Sequence, residues 1–155
     1  MVLKECLTDT ISEENVRVFL EHVSFYKNTA NKPKEEWFAK AFSLYEDMLT
    51  RYRRLDFDDM LYLCKRVFQE DAEILAQWQN RYQYILIDEY QDINPVQYDL
   101  ISLWLQKNHN LFVVGDDDQA IYGFRGSDSD CFEKLKKSCP DIRIIYLNIN
   151  YRCEN

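Results

Sequence analysis

Glycine and proline are scarce, three of each in 155 residues, so connecting loops should be few and helices long. No apolar run approaches the roughly 18 residues that a membrane-crossing helix needs, and no secretory leader pattern is read, so a membrane partner is not expected. Basic charge is not in excess. The net charge of -8 argues against a nucleic-acid surface covering the whole molecule, though not against a local one. Two local clusters exist, Arg51, Arg53 and Arg54, and Lys134, Lys136 and Lys137. Charge pattern alone makes each a solvated helix face. Paired cysteines are also missing. Cys6, Cys64, Cys131, Cys139 and Cys153 are odd in number and form no C-x-x-C, which excludes a disulfide framework or zinc site by spacing and fits reduced thiols in a cytoplasmic protein. His22 and His109 have no paired ligand spacing.

What is present is ordinary for a globular chain with a real core: 46% apolar and 30% charged residues, with aromatics enriched at 15%. The first half reads helical. Val16, Phe19, Leu20, Val23 and Tyr26 follow the helical period behind a cap at Ser12. After a break at "NTANKPK", Trp37, Phe38, Ala41, Leu44, Tyr45, Met48, Leu49 and Tyr52 fall on one broad face. Phe57, Met60, Leu61, Cys64, Val67 and Phe68 do the same behind a cap at Asp56. Such stripes are more often core than cofactor contacts.

Near residue 82 the pattern changes. "YILID" (84–88), "LFVVG" (111–115) and "IRIIYLN" (142–148) read as short buried strands. Asn94 caps an intervening helix with Pro95 in its first turn and Gln97 at the capping-box position. A further short helix is expected over about 128–137. Strand, helix, strand, helix, strand implies an α/β fold with a parallel sheet.

Ligands of open parallel sheets sit beyond the carboxyl ends of the strands. Three polar groups fall at such ends: Asp88-Glu89, the stretch from Gly115 to Arg125, and Asn150-Tyr151-Arg152. An isolated acid pair after a strand is most simply a helix cap. Together with a glutamine loop and an arginine, it suggests nucleotide phosphate chemistry. Phosphate-bound Mg²⁺ keeps several waters and takes one or two carboxylates, a task that suits Asp88. Glu89 is placed to accept a proton from an attacking water. Gln119 can sense a phosphate or a water, and Arg125 and Arg152 can offer forked donors to developing charge.

The segments "LIDEYQD", "VVGDDDQAIYGFRGS" and "LNINYRC" resemble motifs II, III and IV of superfamily 1 DNA helicases of the UvrD/Rep type, in the right order and at suitable spacing. "LDFDDML" resembles the segment preceding motif II, so the resemblance covers about 54–153. It implies a partial P-loop NTPase (RecA-like) core, with residues 56–155 as the C-terminal part of core domain 1A. Residues 1–55 would be a helical segment like the end of the inserted 1B subdomain. It also implies ATP and Mg²⁺ as cofactors and single-stranded DNA as partner, with 3′ to 5′ translocation and duplex unwinding. By position, Asp88 would hold the metal with Glu89 beside it as catalytic base, and Gln119 would couple the γ-phosphate to the DNA side. Gln91 and Arg125 would contact the nucleotide, Arg152 would act as an arginine finger, and Tyr122 and Phe124 would face DNA. Stacking of a base on an aromatic ring tolerates any sequence.

The chain departs from that family in places. Phe124 stands where the family usually has Trp, and Cys153 where it usually has Ser. There is no G-x-x-x-x-G-K-[ST], and Gly115, Gly123 and Gly126 cannot supply one. The adenine-contacting glutamine motif and motifs V and VI are absent too. The expectation is an internal fragment of a longer helicase whose remaining domains lie outside this sequence. Such a fragment should have weak nucleotide affinity, negligible hydrolysis alone, and exposed sheet surface open to self-association. Two other readings compete: a degenerate helicase-like module that binds DNA or a partner without hydrolysing ATP, and the helicase subunit of a nuclease complex.

Overall fold

A computed structural model describes residues 13–31, 33–119 and 131–149. The expected Ser12 cap and the site candidates Tyr122, Phe124, Arg125 and Arg152 lie outside the described residues.

Two long helices open the described chain, α1 (Glu13–Thr29) and α2 (Glu36–Tyr52). Val16, Phe19 and Val23 of α1 meet Phe38, Ala41, Tyr45 and Leu49 of α2 in an aromatic-rich core. The apolar faces are narrower than the sequence stripe. Leu20, Trp37, Leu44 and Tyr52 carry it but are exposed, because two helices bury only the seam between them. Arg53 ends α2 in the left-handed conformation, its N–H bonded back to Leu49 and Thr50 carbonyls.

The third helix, α3 (Asp59–Glu70), has Asp58 at its N-cap position without a side-chain cap bond, and the expected cap, Asp56, instead closes the turn that leads into it. Asp56 Oδ1 accepts the Asp59 N–H at 2.7 Å while Asp59 Oδ2 accepts the Asp56 N–H at 3.0 Å, a reciprocal pair of bonds made by two aspartates. Of its expected apolar face only Phe68 is fully buried, and Phe57, Met60 and Val67 are exposed. The sequence pattern missed the next helix, α4 (Ala72–Arg81). It buries no residue fully, so it has no strong stripe to read, but Asp71 caps it by accepting the N–H groups of Glu73 and Ile74.

Strand β1 (Ile85–Ile87), helix α5 (Pro95–Asn108) and strand β2 (Leu111–Val113) form a parallel β-α-β unit, in register Ile85 to Leu111 and Ile87 to Val113. The Asn94–Gln97 capping box is present as expected. Helix α5 is apolar on two sides. Val96 and Leu100 pack with Phe68, Leu61 and Ile74, whereas Ile101 and Leu105 face the sheet together with Tyr90, Ile93 and helix α6 (Cys131–Ser138).

The expected third strand is a correction. Residues 142–149 are irregular, with Ile145, Tyr146 and Leu147 exposed, and the sheet of the described residues has two strands. An apolar run becomes a strand only when a ladder receives it, and no described segment pairs with it. The described architecture is therefore mostly helical with a small parallel sheet. No described helix is long and apolar enough to cross a membrane. Cys64 and Cys139 are free thiols, and Cys131 donates its thiol to the Tyr90 carbonyl at 3.6 Å.

A buried lysine ties the helices together. Lys27, 1% exposed, reaches Asp59 at 2.5 Å and Asp56 and Glu46 at 2.9 Å each. Tyr45 donates its hydroxyl to Asp56 at 2.7 Å. Burial opposes the ammonium charge, but the hydrogen bonds to Asp59, Asp56 and Glu46 outweigh it and hold Lys27 above its ordinary pKa. Burial likewise opposes ionisation of Asp56, yet the bonds from Tyr45 and Lys27 hold its carboxyl below the usual range.

Candidate functional site

The acid pair sits where the parallel strands end. Asp88 and Glu89 follow β1 directly and are exposed. The ladder runs on past the strands: Val114 N–H donates to the Ile87 carbonyl at 2.9 Å, and Tyr90 N–H to the Val114 carbonyl at 3.0 Å. The segments after β1 and β2 are thereby held side by side.

Glu89 has an unusual backbone, φ 51° and ψ 45°. Among the described residues, Ala30, Arg53 and His109 share a positive φ, but each ends a helix, where that conformation is common. Glu89 instead precedes a 3₁₀ turn, Tyr90–Asp92. A non-glycine residue held there stores strain of order 1–3 kcal/mol, a feature that clusters at functional sites. Asp88 Oδ1 accepts the Glu89 N–H at 3.0 Å and stabilises the turn. Tyr90 anchors it from below, fully buried with its ring 5.3 Å from Phe132. Burial, then the neighbours Cys131 and Tyr98, pushes its hydroxyl well above the ordinary tyrosine range.

Gln91 joins the two loops. It is 3% exposed, donating Nε2 to Glu89 Oε2 at 2.7 Å and accepting the Asp116 N–H on Oε1 at 3.0 Å. Both ends of its amide are thus engaged within the protein. Gly115 makes the approach possible. A Cβ there would lie 2.5 Å from Gln91 Oε1, 2.9 Å from Phe132 and 3.0 Å from Tyr90 N. Asp116 then organises the second loop, accepting the Asp118 N–H on Oδ1 at 3.1 Å and the Gln119 side-chain amide on Oδ2 at 2.6 Å.

Asp88, Glu89, Gln91 and Gln119 therefore lie on two adjoining loops at one end of the sheet. Sequence reasoning passed over Asp116 and Gly115 as organisers. The signal available for Asp116 was an aspartate opening a turn, where its side chain bonds backbone two residues on. Of the basic clusters, Lys136 is paired with Glu133 at 2.7 Å on α6, as expected of a solvated helix face. Among the described residues no three His, Cys, Asp or Glu side chains group as a metal cage. The exposed hard oxygens of Asp88 and Glu89 fit an ion that takes one or two carboxylates and completes its shell with water and phosphate.

A polar turn carrying two carboxylates at the carboxyl end of a parallel β-α-β unit stands where open α/β sheets bind their ligands. Residues 3–140 match the UvrD/REP helicase N-terminal domain, and the chain belongs to that family. It is 42% identical over 148 residues to the helicase-like protein YjcD of Bacillus subtilis, covering 90% of this chain and 20% of that one. It is 36% identical over 166 residues to the ATP-dependent DNA helicase PcrA of Staphylococcus aureus, covering 96% of this chain and 23% of the relative. PcrA of Staphylococcus epidermidis matches at 35%. The chain thus spans about a fifth of the length of these relatives.

Proposed function

We propose that this chain is the acid-pair portion of an ATP-driven DNA helicase, within a RecA-like core whose other parts bring the phosphate loop and second core domain. The observation that carries the reading is the junction of two strand-end loops, with Glu89 and Asp116 linked through Gln91. In this reading Asp88 holds the Mg²⁺ of the nucleotide, with Glu89 beside it. The bound ion would neutralise phosphate charge. Glu89 accepts the proton of the attacking water, its carboxylate held at the strand mouth by the Gln91 amide. Gln119, resting on Asp116, is the group whose position reports on the phosphate. Arg125 and Arg152 supply forked donors to the nucleotide, and Tyr122 and Phe124 carry the single strand. In the whole protein, hydrolysis drives 3′ to 5′ movement along single-stranded DNA and unwinding of duplex.

No phosphate loop is present in these 155 residues, so the chain alone should bind Mg-ATP weakly and hydrolyse it negligibly. The same absence favours a second reading, a helicase-like module that binds DNA or a partner without turnover. Mg-ATP titration, read at the amides of residues 88–92, separates the two. Weak, magnesium-dependent shifts abolished by Asp88→Asn support the nucleotide site, and their absence supports the module. Hydrolysis is measured alongside, with and without single-stranded DNA and beside Glu89→Gln. Turnover that is DNA-stimulated and lost in that variant would overturn the weak-binding argument and point to a site completed across two copies.

A further inference from the structure

The acid-pair turn is bonded not only to its own sheet but to the first helix. Asn94, the cap of α5, lies two residues past the turn and bonds through both ends of its amide. Oδ1 accepts the Gln97 N–H at 2.9 Å, and Nδ2 donates to Asn28 Oδ1 at 2.7 Å. Asn28 lies 66 residues away in sequence, on the last turn of α1. Its own Nδ2 donates to Asp58 Oδ1 at 2.7 Å and to the Ser24 carbonyl at 2.9 Å. The next residue toward the N-terminus is Lys27, locked among Glu46, Asp56 and Asp59. Between Asn94 and Glu89 the backbone is a 3₁₀ turn closed by Asp92 N–H to the Glu89 carbonyl at 2.9 Å. A short bonded path therefore leads from a buried ionic lock to the strained residue of the acid pair.

We propose that Asn28 is a positioning residue for the acid pair, acting through Asn94 and holding the turn of residues 89–94 against the end of α1. The inference deepens the nucleotide reading and rests on it for its functional meaning, though the positional claim is physical. Side-chain amides suit this role. Asn28 presents an acceptor to Asn94 and a donor to Asp58 from one rigid plane, so the two contacts fix each other's geometry. An aspartate at 94 would still cap α5 but would lose the donor.

The test is residue-resolved amide hydrogen exchange on the whole 155-residue chain, for Asn28→Ala, Asn94→Asp and the double variant. Losing one part-buried hydrogen bond should accelerate exchange roughly threefold to tenfold. The effect should fall on the amides of Tyr90, Asp92 and Ile93, with Arg54 and Leu75 unchanged. Both single variants should give this pattern, and the double variant should be no faster than Asn28→Ala alone, because that variant has already lost the contact that Asn94→Asp removes. The proposal is overturned by unchanged exchange at residues 90–93, by acceleration spread equally to Arg54 and Leu75, or by effects that multiply in the double variant. Should Asn28→Ala fail to fold, Asn94→Asp alone decides by the same amides. The Mg-ATP titration of the unaltered chain is independent. Its failure would remove the nucleotide reading and leave the exchange result standing.

Discussion

Replacing Lys27 with methionine should be among the most damaging single changes to this molecule. The ammonium is wholly buried and faces three carboxylates, of which Asp59 is 2% exposed, Asp56 22% and Glu46 33%. Methionine keeps most of the volume but leaves the carboxylates to repel one another in a partly dry site. Removing one partner of a buried ion pair costs about 3–5 kcal/mol. With a urea dependence of about 2 kcal/mol per molar, the midpoint should fall by roughly 1.5–2.5 M at pH 7. The pH dependence gives a second check. Asp56 has a folded pKa below its ordinary 3.8, so its contribution is present above that value and lost as pH falls through the lower, folded one. Lys27 has a folded pKa above 10.5, so its contribution is present below that value and lost as pH rises through the folded one. At pH 7 both are in full force. In Lys27→Met the unpaired carboxylates gain by taking up protons, so the gap between variant and parent should shrink between pH 7 and pH 4. Lys65→Met is the control. Asp99, the partner of Lys65, is 43% exposed, and loss of that pair should cost less than about 1 kcal/mol. Urea unfolding followed by circular dichroism measures all of this. A loss below about 1 kcal/mol for Lys27→Met, or a gap that does not change with pH, would refute the claim that the lysine is an ionic lock.

Other expectations are narrower. Gly115→Ala should destabilise by about 1–3 kcal/mol, since the new methyl meets Gln91, Phe132 and backbone at once, and an unchanged melting temperature would mean these groups yield freely. Tyr62 should ionise late, pushed up to about 12 by burial and by Tyr26, and ultraviolet titration of Tyr62→Phe should lack a step there. Should Phe124 stack on single strands, Phe124→Ala would weaken binding about equally on all sequences in a fluorescence titration, and a sequence-dependent loss would contradict stacking.

What could be read from the sequence was what is local. The Asn94–Gln97 box and the acid pair at a strand end each depend on residues within a few positions of one another, and each formed as expected. Helix α4 escaped because it buries no side chain fully and so leaves no apolar period. The run 142–148 deceived for the opposite reason. Its composition is that of a buried strand, but strand formation depends on a neighbouring edge that composition does not encode. At the site, the placement of Asp88 and Glu89 just past a strand was legible from the apolar run before them. The linking geometry of Gln91 was not, because its two partners lie 2 and 25 residues away and only the fold brings them together.

The ionic lock also bears on how the chain is divided. The resemblance implies a boundary at residues 55/56, although the helical stripes run on to Phe68 and the sequence pattern changes only near residue 82. Yet Lys27 and Tyr45, from before that point, bond to Asp56 and Asp59 after it. Asn28 crosses it twice, to Asp58 and to Asn94. Buried charges and amides are costly to leave unpaired. A hinge at 55/56 would have to break several such contacts together. The helical segment and the acid-pair segment should therefore move together as one mechanical piece.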